Sequence, residues 1–185
     1  MSFMLLGILN SQAAGGGGAA YELLESVTLS TDTASVTFDN LDSYSDYKHL
    51  QIRGIARANT SGYATQYILF NGDTGSNYTT HKLTGSSSSS TVSSGSNVNE
   101  AYIRFANVDR ASQSVNDAFA PSVVDIYDFA STNKKTTVRV LEGRVGGDPT
   151  QSTNRVAINS GLWNNTAAVT SIEFKTFASY VAGTR

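Results

Sequence analysis

His49-Leu50-Gln51-Ile52-Arg53-Gly54-Ile55-Ala56-Arg57 decides the fold class. Leu50, Ile52 and Gly54 fall on one side of an extended chain, Gln51 and Arg53 on the other. That period of two marks a strand with one buried face and one wet face. Working outward, Ala34-Ser35-Val36-Thr37-Phe38 alternates in the same way. Glu100–Phe105 sets Tyr102 and Arg104 against Ile103 and Phe105. Tyr67–Phe70, Asn77–Leu83, Pro121–Phe129, Thr136–Gly143, Arg155–Trp163 and Val169–Phe177 read as further strands, and Leu23–Leu29 as a first one. Val, Ile, Thr, Tyr and Phe dominate these segments, as strands prefer, and no convincing helix interrupts them. Nine or ten short strands separated by turn signals predict an all-β fold, an antiparallel β-sandwich, jelly-roll-like. No internal repeat points to a propeller or β-helix.

The chain has 185 residues, the length of one ordinary domain, and can bury a core without a covalent staple. It has no cysteine, so disulfides, thiolate nucleophiles and cysteine-based metal sites are excluded. Thirteen basic and fifteen acidic residues give a net charge of -2, which carries no basic footprint for nucleic acid or an anionic membrane. No run approaches the roughly 20 apolar residues of a spanning helix. Ser and Thr make up about a quarter of the chain, and only 15% of it is charged. Such a surface suits packing against copies of itself or facing the exterior.

Residues 1–20 read as an N-terminal arm and 21–185 as the sandwich domain. The arm carries Phe3, Leu5, Leu6, Ile8 and Leu9 ahead of a glycine hinge, Gly15 to Gly18. Its apolar stretch is short and starts without Lys or Arg, unlike a secretory signal. Inserted into a neighbouring subunit, each such side chain would contribute roughly 1.5–3 kcal/mol. Gly85 to Gly95 is nearly all Ser, which predicts a loosely held loop.

Motifs that carry chemistry are few in this sequence. His49 and His81 lack a second histidine or a carboxylate at ligand spacing, so no metal is expected. No Gly-x-Ser-x-Gly elbow occurs, and the glycine run lacks the context of a phosphate loop, so no cofactor is expected either. Asp125 and Asp128 cannot share a strand face, and Asp125 is expected to point outward. Asn71-Gly72 reads as a tight hairpin turn rather than part of a calcium loop. Trp163, followed by Asn164 and Asn165, has two readings: a sugar-stacking platform with amide donors, or a core tryptophan before a turn. Tyr63, Tyr67, Tyr78 and Tyr102 are either interface anchors or sheet-face packing.

Six segments carry a resemblance: GGGGAAYELL (Gly15 to Leu24), YKHLQIRG (Tyr47 to Gly54), FNGDTGSNY (Phe70 to Tyr78), DIYDFASTN (Asp125 to Asn133), SGLWNNT (Ser160 to Thr166) and the close, Tyr180 to Arg185. Together they resemble small β-sandwich structural proteins of tailed-bacteriophage virions. The resemblance implies a virion location and a non-enzymatic structural role. The group holds head-decoration proteins and tail or fibre parts; a length of 185 residues without a long fibrous stretch favours capsid decoration (cement), with a tail or tail-fibre component, open to host-surface glycan binding, as the alternative. The resemblance also implies self-association, as a homotrimer, and docking on major capsid or tail proteins. In that group a further strand follows the Gly-Thr/Ser-Arg step. Its absence here leads to the expectation of either one strand fewer or strand addition by a neighbour.

Overall fold

The computed structural model describes residues 7–9, 21–61, 64–86, 92–110, 118–144 and 154–185, with backbone alone at 7–9 and 109–110. Among them are twelve strands: β1 (Gly7–Leu9), β2 (Tyr21–Leu23), β3 (Thr33–Phe38), β4 (His49–Asn59), β5 (Ala64–Phe70), β6 (Tyr78–Ser86), β7 (Val92–Glu100), β8 (Ile103–Arg110), β9 (Ala120–Tyr127), β10 (Thr137–Arg144), β11 (Arg155–Trp163) and β12 (Ile172–Tyr180). A single turn of 3-10 helix, Leu41–Tyr44, sits between β3 and β4. The all-β, sandwich-like fold expected from the alternation is the one observed.

The strands form one curled sheet in the order β3-β12-β5-β8-β4-β9-β10-β11-β6-β7. The curl happens along β4. His49 to Ala56 pair with β9, whereas Arg57, Ala58 and Asn59 pair with β8 and β12. The sheet therefore folds back on itself. The layer β3-β12-β5-β8 covers the inner face of the layer β4-β9-β10-β11-β6. Between them lie Phe38, Ile68, Ile103, Phe105 and Phe174 from one layer and Leu50, Val124, Ile126, Val138 and Val140 from the other. Gly161 of β11 makes the close approach possible, because a Cβ there would stand 2.8 Å from Ile103 Cγ2.

Among the described residues, the edge of β8 that faces away from β5 has no strand partner over most of its length. Two buried polar side chains from the opposite layer take its place. Asn159 Nδ2 donates to the Phe105 carbonyl at 2.5 Å, and the Asn107 N–H donates to Glu142 Oε2 at 2.6 Å. Both residues are 2% exposed, and a buried backbone group left unpaired would cost about 1–3 kcal/mol.

Several local expectations change. The strand expected over Leu23–Leu29 does not form: only Leu23 lies in a strand, as the last residue of β2. The chain beyond it is irregular and packs Leu24, Val27 and Leu29 against the core. Glu100–Phe105 is not one strand: β7 ends at Glu100 and β8 starts at Ile103, after Asn99 takes φ 55°. Much of the Ser-rich segment is ordered as the β6–β7 hairpin, because ladder hydrogen bonds need no apolar burial. Residues 87–91 of that segment lie outside the described residues. The Asn71-Gly72 turn forms, with φ 53° and 65° and a bond from the Asp73 N–H to the Phe70 carbonyl at 2.9 Å. It joins the two layers rather than a hairpin, since β5 and β6 have different neighbours.

β1 pairs with β2 and, at Gly7, with Gln51 of β4. Further along the same edge, Ile55 and Arg185 exchange backbone bonds at 2.6 and 3.0 Å, and the Val181 N–H donates to the Arg57 carbonyl. This edge is thus hydrogen-bonded at Gln51, Ile55 and Arg57 by other segments of the chain.

Candidate functional site

Alternation along β10 and β11 is inverted at one end. Val138, Val140 and Glu142 point inward, and so do Ala157, Asn159 and Gly161. Leu141, Val156 and Ile158 consequently point out. The register aligns these outward residues into a row across five strands: Val123↔Leu141, Leu141↔Ile158, Ile158↔Leu83 and Leu83↔Ser94. A second row beside it runs Gly143, Val156, Gly85 and Val92. Leu83, Leu141, Val156, Ile158 and Val92 are 52, 52, 56, 53 and 66% exposed. Adjacent strands lie about 4.8 Å apart, so from Val123 to Leu83 the strip spans roughly 15 Å. Pro121, Val123, Leu141, Gly143 and Val156 shape a shallow apolar depression within it.

The next row on the same face is polar and internally neutralised. Asp125 accepts from Gln51 Nε2 at 2.7 Å and from Arg139 Nη2 at 2.7 Å, and Gln51 accepts from Arg53 Nε. The Asp125 carboxylate holds the Arg139 guanidinium above its ordinary pKa. Tyr127 beside them is pushed up by burial and then by the charge of Asp125. Asp125 faces outward, as expected from the alternation, and is nevertheless only 9% exposed because Gln51 and Arg139 close over it.

Trp163 lies at the opposite end of the molecule's interior. It is 1% exposed, so neither face of its ring is open to a sugar. Its ring stacks on Tyr78 with centroids 6.5 Å apart and meets Phe70 at 5.6 Å. Asn164 is exposed, and Asn165 is spent on its own turn, where Oδ1 accepts from the Ala167 N–H. The three do not converge on a platform. Among the tyrosines, Tyr78 is fully buried, its hydroxyl pushed up to about 12 by burial, whereas Tyr67 and Tyr102 form a surface cluster with Phe177. Tyr63 lies outside the described residues. So do the side chains of Phe3, Leu5, Leu6, Ile8 and Leu9 in the expected docking arm.

Asp73 ties the turn to this core. It accepts from Trp163 Nε1 at 2.7 Å, the Gly75 N–H at 2.8 Å and Asn77 Nδ2 at 3.0 Å. Burial pushes its carboxyl up, but those donated bonds outweigh it and hold the pKa below the ordinary value. A depressed folded pKa contributes stability above the unfolded value and loses it as pH falls through the folded one. Asp73→Asn is expected to lower unfolding free energy by about 1–2 kcal/mol at neutral pH. In urea melts its gap to the wild type should close in acid. A constant gap down to pH 2 would show that the charge is immaterial.

Among the described residues, no group of three or more His, Asp or Glu is placed to hold a metal. The missed feature, the exposed apolar strip, did have a signal. Leu141-Glu142 and Ile158-Asn159 each put the apolar residue on the face their strand otherwise gives to polar ones. No protein-family model, curated protein or solved structure matches this chain.

Proposed function

We propose that this protein is a non-enzymatic structural component of a bacteriophage virion, acting as a capsid-decoration protein that associates with copies of itself and docks on the shell. The single observation that carries self-association is the strip of Leu83, Leu141, Val156, Ile158 and Val92, each at least half exposed. Monomers rarely expose contiguous apolar surface of more than a few hundred Å² without a partner. A second copy fits, because the polar row beside the strip pairs its own charges and repels nothing of the same kind. The virion assignment rests on the resemblance of the six segments.

Light scattering on the purified chain tests the association. The wild type is expected as a small oligomer, a trimer by the resemblance. Leu141→Lys with Ile158→Lys should weaken it about a hundredfold or more while leaving the β-sheet spectrum intact. A wild type that stays monomeric at about 100 μM would overturn self-association. The location is tested by counting copies in purified particles against the major shell protein. Hundreds of copies support decoration; a few tens or fewer would place the protein in tail or fibre.

A further inference from the structure

The layer of β6 and β7 overhangs the edge of β8 and leaves a re-entrant cleft of about 170 Å³. Its floor is the inner face of β6, β7 and β11, which presents Thr80, Lys82, Asn97 and Arg155. Its wall is β8, with Arg104 and Asn107. Three cations thus converge on one small space in a chain whose net charge is -2. Two are partly neutralised: Arg155 Nη2 pairs with Glu142, and Arg104 Nη2 lies 3.8 Å from Glu100. Lys82 has no ion-pair partner among the described residues. Gly95, its cross-strand partner, leaves room for it, since a Cβ there would sit 3.3 Å from Lys82 Cε.

Two further observations point to a ligand. Thr80 lines the cleft at 3% exposure, and its hydroxyl, like Arg155 Nε, has no hydrogen-bond partner among the described residues. A buried polar atom of that kind is satisfied by something that enters the cleft. The second observation is Arg104 itself. Its guanidinium stands 5.1 Å over the Tyr102 ring and 5.8 Å over Phe177. Tyr67 completes an open aromatic patch, 4.6 Å from Tyr102 and 5.0 Å from Phe177. Phe177 is 60% exposed. A cationic, amide-lined cleft and an aromatic patch therefore share one residue.

We propose that this junction binds an acidic saccharide, a sugar bearing a carboxylate or a sulfate. The oxyanion sits between Lys82, Arg104 and Arg155, hydroxyls meet Thr80, Asn97 and Asn107, and an apolar sugar face lies on the aromatic patch. A planar base would favour a parallel slot. The rings here are tilted 36° and 39° at Tyr67, and Tyr102 and Phe177 meet at 74°, which suits a puckered ring better. The site is separate from the apolar strip, so its failure leaves the self-association reading untouched.

The test is a titration of the purified full chain, followed by amide chemical shifts, with sialyllactose and sulfated lactose as probes. Lactose, inorganic sulfate and adenosine monophosphate are the controls. At least one acidic sugar is expected to bind about tenfold more tightly than lactose or sulfate. Lys82→Met and Phe177→Ser, both at residues the core does not need, should each weaken it about fivefold with unchanged melting temperature. Four results would overturn the proposal: silence to about 10 mM, equal binding of sulfate alone, tighter binding of the nucleotide, or acidic-sugar affinity unaltered in both variants.

Discussion

Trp163→Ala is expected to lower the free energy of unfolding by roughly 3–5 kcal/mol, a large part of the 5–15 kcal/mol typical of a domain. The ring is 1% exposed and packs between Tyr78 and Phe70, where the layers meet. Its removal leaves a void that Tyr78 cannot fill. The Tyr78 hydroxyl is bonded to the Phe70 N–H at 3.1 Å and the Asp73 carbonyl at 3.0 Å, which fixes the ring. The substitution also takes a donor from Asp73, so the Asn71–Asn77 turn loosens with the core. Urea melts followed by far-ultraviolet dichroism measure the loss, since the chain's one tryptophan is the residue removed. Trp163→Phe, which keeps most of the volume, should recover more than half of it. A loss under about 1 kcal/mol for the alanine variant would mean that the interior is loosely packed there. The result also bears on glycan binding: a sugar-binding defect in Trp163→Ala would report unfolding rather than a lost platform.

The faces of the strands were legible wherever one face is apolar and the other polar. The segment Arg155–Trp163 has the boundaries of β11, and His49–Arg57 falls within β4. Legibility failed in three kinds of place, each for a physical reason. Ser93, Ser94 and Ser96 bury nothing, so only their ladder bonds to β6 reveal a strand, and those are non-local. Leu24, Val27 and Leu29 are apolar but pack without a ladder, which composition cannot distinguish from a strand. Glu142 and Asn159 look like solvent-facing residues. They are buried because the curl of the sheet leaves β8 with an unpaired edge at Phe105 and Asn107, a consequence of topology that no window of sequence contains. The same inversion turned Leu141 and Ile158 outward. One feature of the pattern thus marks both the apolar strip outside and the polar cleft inside.

Arg155→Met is expected to cost roughly 3–5 kcal/mol near neutral pH, the range for breaking a buried ion pair from one side. Glu142 is 2% exposed, with one oxygen on Arg155 and the other accepting the Asn107 N–H. Burial pushes its carboxyl above the ordinary value of 4.5, against the lowering charges of Arg155 and Arg144 and the Asn107 bond. A raised folded pKa gives a contribution that is fully present below the unfolded value and is lost as pH rises through the folded one. With Arg155 gone, the strongest lowering influence goes too. The carboxyl rises further, and the penalty at neutral pH grows. The gap between Arg155→Met and the wild type should therefore narrow as pH falls below about 4, where the carboxyl is protonated in both folded and unfolded states. A gap independent of pH would mean that Arg155 contributes through packing alone. Adding Glu142→Gln separates the roles of the carboxylate. Its amide oxygen still accepts from Asn107, so the double variant should recover most of the loss if Glu142 is buried chiefly to cap the β8 edge. Failure to recover would make the ion pair itself the stabilising element. Either way, Arg155 is held by Glu142 through Nη2, so of the three cations lining the cleft Lys82 and Arg104 supply most of the charge that a ligand's oxyanion meets.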